Sequence, residues 1–114
     1  MRLTTLTLTT RDLPRSRAFY TGKLGFRVVE EAGESFVVDA GGVRLHVDRV
    51  FSDVARSPLS FSEPRLVFDT EDLLSRCRTL RDLGVSVDGP RRAERGTYAE
   101  LSDPDGHPIV LWER

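Results

Sequence analysis

The side chains able to do chemistry are few: two histidines, His46 and His107, and one cysteine, Cys77, in 114 residues. An imidazole changes protonation near neutrality, so His46 suits a general base or a hydrogen-bonding contact to a bound molecule; a histidine with only a structural partner is the competing reading. Arg65 carries a planar, permanently charged fork that matches carboxylate, phosphate or carbonyl oxygens, with an internal pair to Asp48 or Asp69 as its alternative. Trp112 offers a flat ring for stacking on a planar ligand, or for a core or dimer contact. Tyr98 and Phe36 read as corresponding positions that form an aromatic wall, with packing as the other role. Cys77 recurs at helical spacing with Leu73, Leu80 and Gly84, the pattern of a small core hydrophobe, and a lone cysteine makes no internal disulfide. His107 reads as an exposed turn residue.

The elements that position these groups follow from periodicity. Residues 2–10 alternate, with Leu6 and Leu8 on one face and Thr5, Thr7 and Thr9 on the other, which predicts a half-buried strand. Asp12 then caps a helix over about 13–24, with Pro14 in its first turn and Gly25 at its end; Leu13, Arg17, Tyr20 and Leu24 recur at helical spacing. Strands follow at 26–31, 35–40 and 43–49. The same order recurs as a strand at 65–70, a helix over 73–83 from Asp72 to Gly84, and strands at about 85–88, 97–102 and 108–113. The last turn, Asp103-Pro104-Asp105-Gly106, supplies a fixed φ and a residue tolerant of the left-handed region.

The recurrence is a tandem duplication. Asp12-Leu13 through Leu24-Gly25-Phe26 returns as Asp72-Leu73 through Leu83-Gly84-Val85, with one residue more in the first copy, and Gly42 corresponds to Gly106. The expected fold class is α+β, a single domain of two tandem βαβββ modules forming a cupped mixed sheet. Module one covers about 1–49, the connector 50–63 and module two about 64–114. The connector Val50–Glu63 reads either as a lid or dimer arm or as a loop that packs its own apolar residues. Alternation turns Thr5, Thr7, Thr9, Arg44, His46, Asp48, Arg65, Val67, Asp69, Val110 and Trp112 toward a shared cleft. Leu6, Leu8, Leu45, Val47, Leu66, Phe68, Ile109 and Leu111 then face the helices.

Composition excludes other classes of partner. The formal net charge is −1 and the arginines are interleaved with acids, so no basic face for nucleic acid is expected. No segment approaches the roughly 20 apolar residues needed to cross a bilayer, so no membrane association is expected and the expected location is cytoplasmic.

The run Thr10-Arg11-Asp12-Leu13-Pro14-Arg15-Ser16-Arg17-Ala18-Phe19-Tyr20, then Leu24-Gly25-Phe26, Asp103-Pro104-Asp105-Gly106 and Ile109-Val110-Leu111-Trp112-Glu113, resembles the vicinal oxygen chelate superfamily. That group includes glyoxalase I, extradiol dioxygenases, fosfomycin-resistance enzymes and bleomycin-resistance proteins. The resemblance implies metal ligands at one position on the first and the last strand of each half, which here are Thr5, His46, Arg65 and Val110. Only His46 is an ordinary ligand, whereas a catalytic divalent metal needs about three donors from His, carboxylate or thiolate.

Phe19-Tyr20-Thr21 through Leu24-Gly25-Phe26, with Arg95-Gly96-Thr97-Tyr98, is similar to the metal-free bleomycin-resistance branch. The expected function is therefore small-molecule binding, as in sequestration of an antibiotic or metabolite, with no cofactor. The ligand-binding set is His46, Arg65, Trp112, Thr5, Thr7, Val67, Asp69, Val110 and Tyr98, and no catalytic residue is assigned. The alternative is a metal-dependent enzyme of glyoxalase, dioxygenase or epimerase type with ligands assembled from His46, Asp48, Asp69 and a partner subunit; a metal-free enzyme with His46 as base is a third reading. Near-neutral charge with Arg65 inside argues against a cationic glycopeptide as ligand. A chain this small gains burial by pairing, so a homodimer is expected.

Overall fold

The computed structural model describes residues 1–49 and 65–114. The expectation for the Val50–Glu63 connector lies outside the described residues. The chain divides into two compact units, one in each half. The first contains β1 (Thr5–Thr10), α1 (Leu13–Ala18), a π-helical turn (Phe19–Lys23), β2 (Arg27–Ala32), β3 (Ser35–Asp39) and β4 (Arg44–Arg49). The second contains β5 (Leu66–Asp69), α2 (Leu73–Asp82), β6 (Asp88–Ala93), β7 (Gly96–Ser102) and β8 (Pro108–Glu113). Each half builds a four-stranded mixed sheet, ordered β1-β4-β3-β2 in the first and β5-β8-β7-β6 in the second. In both, the first and last strands pair parallel and the other neighbours antiparallel.

Both helices start where the sequence sets a cap. Arg15 N–H donates to Asp12 Oδ1 at 3.0 Å, and Ser75 N–H donates to Asp72 Oδ1 at 3.3 Å. Their ends differ by the residue that the duplication carries in excess. In the second half Gly84 N–H donates to Arg81 O and Val85 N–H to Leu80 O, a paired closure around a left-handed glycine. In the first half the closing bond reaches one residue further back, from Phe26 N–H to Tyr20 O, and Leu24 N–H donates to Phe19 O. The expected helix over 13–24 thus becomes α1 plus a π turn, which absorbs the extra residue without shifting Gly25 from the end.

The same closure explains a strand that begins later than expected. Val85 is buried and bonded back to the helix, so β6 starts at Asp88 rather than 85. On α1 Ser16 faces inward, while Arg17 is exposed and pairs with Glu31 on β2.

The helix-facing side of each sheet is the core. Phe36, Val38, Leu45 and Val47 are buried in the first half, and Leu66, Ala99, Leu101, Ile109 and Leu111 in the second. Phe19 and Tyr20 meet edge to face beneath the π turn, with ring centroids 5.2 Å apart. Leu73, Cys77 and Leu80 form the buried face of α2, and burial pushes the Cys77 thiol up, in keeping with a packing role.

The second helix has an additional anchor at its N-terminus. Leu73 N–H donates to Glu113 Oε1 at 3.0 Å, so a carboxylate from the end of β8 satisfies a donor of the first turn. Glu113 faces away from the open side, as alternation requires. Glu113→Ala is expected to cost about 0.5–2 kcal/mol in urea unfolding, the range for losing a cap. Glu113→Gln, which keeps an acceptor, should recover much of it.

Candidate functional site

The side of each sheet turned away from its helix carries the chemistry. In the first half the open-face row Thr7, His46, Val37 and Glu30 crosses β1, β4, β3 and β2 in register. Thr5 lies beside Arg44 and Thr9 beside Asp48. His46 Nε2 is 2.8 Å from Asp48 Oδ1, two residues along the same strand face, and both side chains are partly exposed. Asp48 thus orients the imbidazole ring of His46, which remains open to solvent on a threonine-lined surface.

The second half places Val67, Val110, Glu100 and Asp88 in one row across β5, β8, β7 and β6. The next row holds Asp69, Trp112, Tyr98 and Arg91. Tyr98 and Trp112 stack with ring centroids 5.9 Å apart and 23° between planes. Trp112 Nε1 is buried and has no hydrogen-bond partner among the described residues. Arg91 Nη2 lies 2.8 Å from both carboxylate oxygens of Asp88, and Asp88, with a hydrogen bond to Tyr98, raises the Arg91 pKa. Val67 is 58% exposed, an apolar side chain left open on this face.

A hollow of about 250 Å³ opens on the same surface, lined on this side by Arg65, Pro108, Val110, Ser102, Glu100 and Asp88. It falls below the roughly 300–1,000 Å³ of pockets that enclose a drug-sized ligand, so it fits a small fragment or one end of a larger molecule.

The structure therefore brings Thr5, Thr7 and His46 onto one open face, and Arg65, Val67, Asp69, Tyr98, Val110 and Trp112 onto the other. Neither proposed internal partner holds Arg65: Asp48 pairs with His46, Asp69 lies 3.5 Å from Arg114, and among the described residues Arg65 makes no ion pair. The aromatic wall of Tyr98 and Phe36 is corrected. Tyr98 opposes Trp112, whereas Phe36 opposes Val47 and is buried in the core. The residue equivalent to Tyr98 is Ser35, opposite Asp48; an alignment one residue out exchanges the faces of a strand.

His107 is also more enclosed than a turn position suggests, with its side chain 13% exposed and Nε2 3.9 Å from Asp103 Oδ2. Asp103 Oδ1 accepts from the N–H groups of Asp105 and His107, which organises the last turn. Glu100 went unnoticed in the sequence, although stepping two residues from Tyr98 along β7 would have placed it on the open face.

The four positions at which the resemblance implies metal ligands hold Thr5, His46, Arg65 and Val110. Valine has no donor atom and a guanidinium repels a cation, so this set does not fit a divalent metal held in that manner. Asp103, Asp105 and His107 do bring donor atoms within 4.8 Å of one another, but they belong to the last turn.

Residues 2–111 match the Glyoxalase/Bleomycin resistance protein/Dioxygenase superfamily, and the chain belongs to it. Among solved structures, it is similar to TnmS3, an antibiotic binding protein from Streptomyces sp. CB03234, at 27% identity and TM-score 0.77, covering 99% of this chain and 95% of that one. A glyoxalase family protein from Enterococcus faecalis shares 22% identity and TM-score 0.81 over 98% of this chain and 97% of that one. Lactoylglutathione lyase from Agrobacterium tumefaciens shares 18% identity and TM-score 0.78 over 98% and 92%. These last two likenesses concern the fold. No curated protein matches the sequence. No helix among the described residues is long and apolar enough to cross a membrane.

Proposed function

We propose that the protein binds a small, flat, partly anionic or carbonyl-rich molecule without a metal, in the manner of the bleomycin-resistance branch of its superfamily. The observation that carries this reading is the donor chemistry at the four ligand positions, where a threonine, an arginine and a valine accompany His46. The stacked Tyr98–Trp112 pair and Arg65, which makes no ion pair among the described residues, supply the complementary features, an aromatic surface and a fixed cation on one face. The 27% identity to a protein described as antibiotic binding supports a small-molecule-binding role. In this reading Thr5, Thr7 and His46 offer hydrogen bonds, while Val67 and Val110 offer apolar contact.

Trp112 is the sole tryptophan, so its emission reports directly on the proposed surface. A titration with planar acids and quinone-type antibiotics should quench or shift that emission saturably, and Trp112→Phe should abolish the signal. Saturable binding confined to polycations would contradict the reading. The alternative, a metal-dependent glyoxalase, dioxygenase or epimerase, requires a donor set that these positions do not supply.

The proposal includes a homodimer. A 114-residue chain gains burial by pairing, and Leu74 of α2 stands exposed. Light scattering at tens of micromolar should report twice the chain mass; the mass of a monomer would contradict it.

A further inference from the structure

Two opposite charges line the hollow of the second sheet without meeting. Glu100 sits half-buried on β7, between Val110 of β8 and Asp88 of β6. Its carboxylate has no hydrogen-bond or ion-pair partner among the described residues, and neither has the guanidinium of Arg65. Asp88 does not share this condition, because both of its oxygens lie 2.8 Å from Arg91 Nη2. Arg91 therefore offsets Asp88, and Glu100 is left as the uncompensated negative group. Val110 and Pro108 supply apolar lining between the two charges.

An occupant of this hollow strips water from both groups, and each then needs a new partner. A simple anion satisfies Arg65 but is repelled by Glu100; a simple cation has the reverse fault. A group presenting an acceptor and an N–H donor meets both needs. We infer that Glu100 is a specificity-determining residue, and that the group entering the hollow is an aminocarboxylate or a carboxamide, with oxygen toward Arg65 and nitrogen toward Glu100. This rests on the binding function proposed above and narrows its ligand class.

Four fragments on one phenyl ring test it: phenylacetate, phenethylamine, phenylacetamide and phenylalanine, titrated into the full chain and followed by ligand-observed NMR. Phenylalanine and phenylacetamide are expected to bind about tenfold more tightly than the two singly charged fragments, a factor that one charged hydrogen bond supplies. In Glu100→Gln, phenylalanine should lose about tenfold and phenylacetate should gain, while phenylacetamide changes little because glutamine still accepts its N–H. Phenylacetate binding as tightly as phenylalanine, or a ranking unchanged in Glu100→Gln, would overturn the role of Glu100 and leave binding through Arg65 intact. If none of the four binds while planar acids still perturb Trp112, the inference alone fails; if neither set binds, the binding function fails with it.

Discussion

Replacing Phe36 with alanine is expected to destabilise the protein by about 3–5 kcal/mol, read as a fall in the urea midpoint at unchanged m-value. The ring is 1% exposed and lies on the helix-facing side of β3, opposite Val47, so truncation leaves a cavity that its neighbours cannot fully close. Tyr98→Ala provides the contrast. Its ring is half-buried on the open side against Trp112, so its removal should cost less stability and act chiefly on binding. Equal losses for the two variants would show that the two faces have been wrongly distinguished.

That pair also marks where sequence reasoning ran out. Faces were legible wherever a strand could be anchored by its own alternation: the threonines of β1, His46 between Leu45 and Val47, and Val110 between Ile109 and Leu111 all lie as expected. Phe36 and Tyr98 were related only by comparing the halves across turns of unequal length, and one residue of error moves a side chain through the sheet. The extra residue before Gly25 was visible as a difference in spacing, but its form as a π turn depends on backbone hydrogen bonds. The late start of β6 has a similar cause. Val85 has strand-like character, yet the bond from its N–H to Leu80 O commits it to ending α2.

The candidate site was legible as a list of side chains on a face, and less so as a set of pairings. Sequence offered Arg65 a choice of internal partners; geometry gives Asp48 to His46 and Asp69 to Arg114. Glu100 carries no motif that singles it out, and only its place two residues beyond Tyr98 on the open side of β7 marks it. Such pairings depend on cross-strand register, which the order of residues along one strand does not contain.

Arg65→Ala is expected to weaken binding of a planar acid by roughly 1.5–3 kcal/mol, the loss of a charge-assisted hydrogen bond, or about 10- to 150-fold in Kd. Arg65 is exposed and, among the described residues, unpaired, so the change should leave the unfolding midpoint nearly unmoved. Arg65→Lys keeps the charge but not the planar fork, and should recover only part of the affinity. Lys23→Ala, at the end of the π turn, should change nothing in the same titration. A full affinity in Arg65→Ala would show that the cation contacting the ligand lies elsewhere.

The claim of metal-free binding is tested most directly by elemental analysis of the protein purified without chelator. Far less than one divalent ion per chain is expected, with ligand binding unchanged by chelator treatment. About one equivalent of zinc, nickel, manganese or iron per chain, lost in His46→Ala, would contradict it and establish a metal centre built around that histidine.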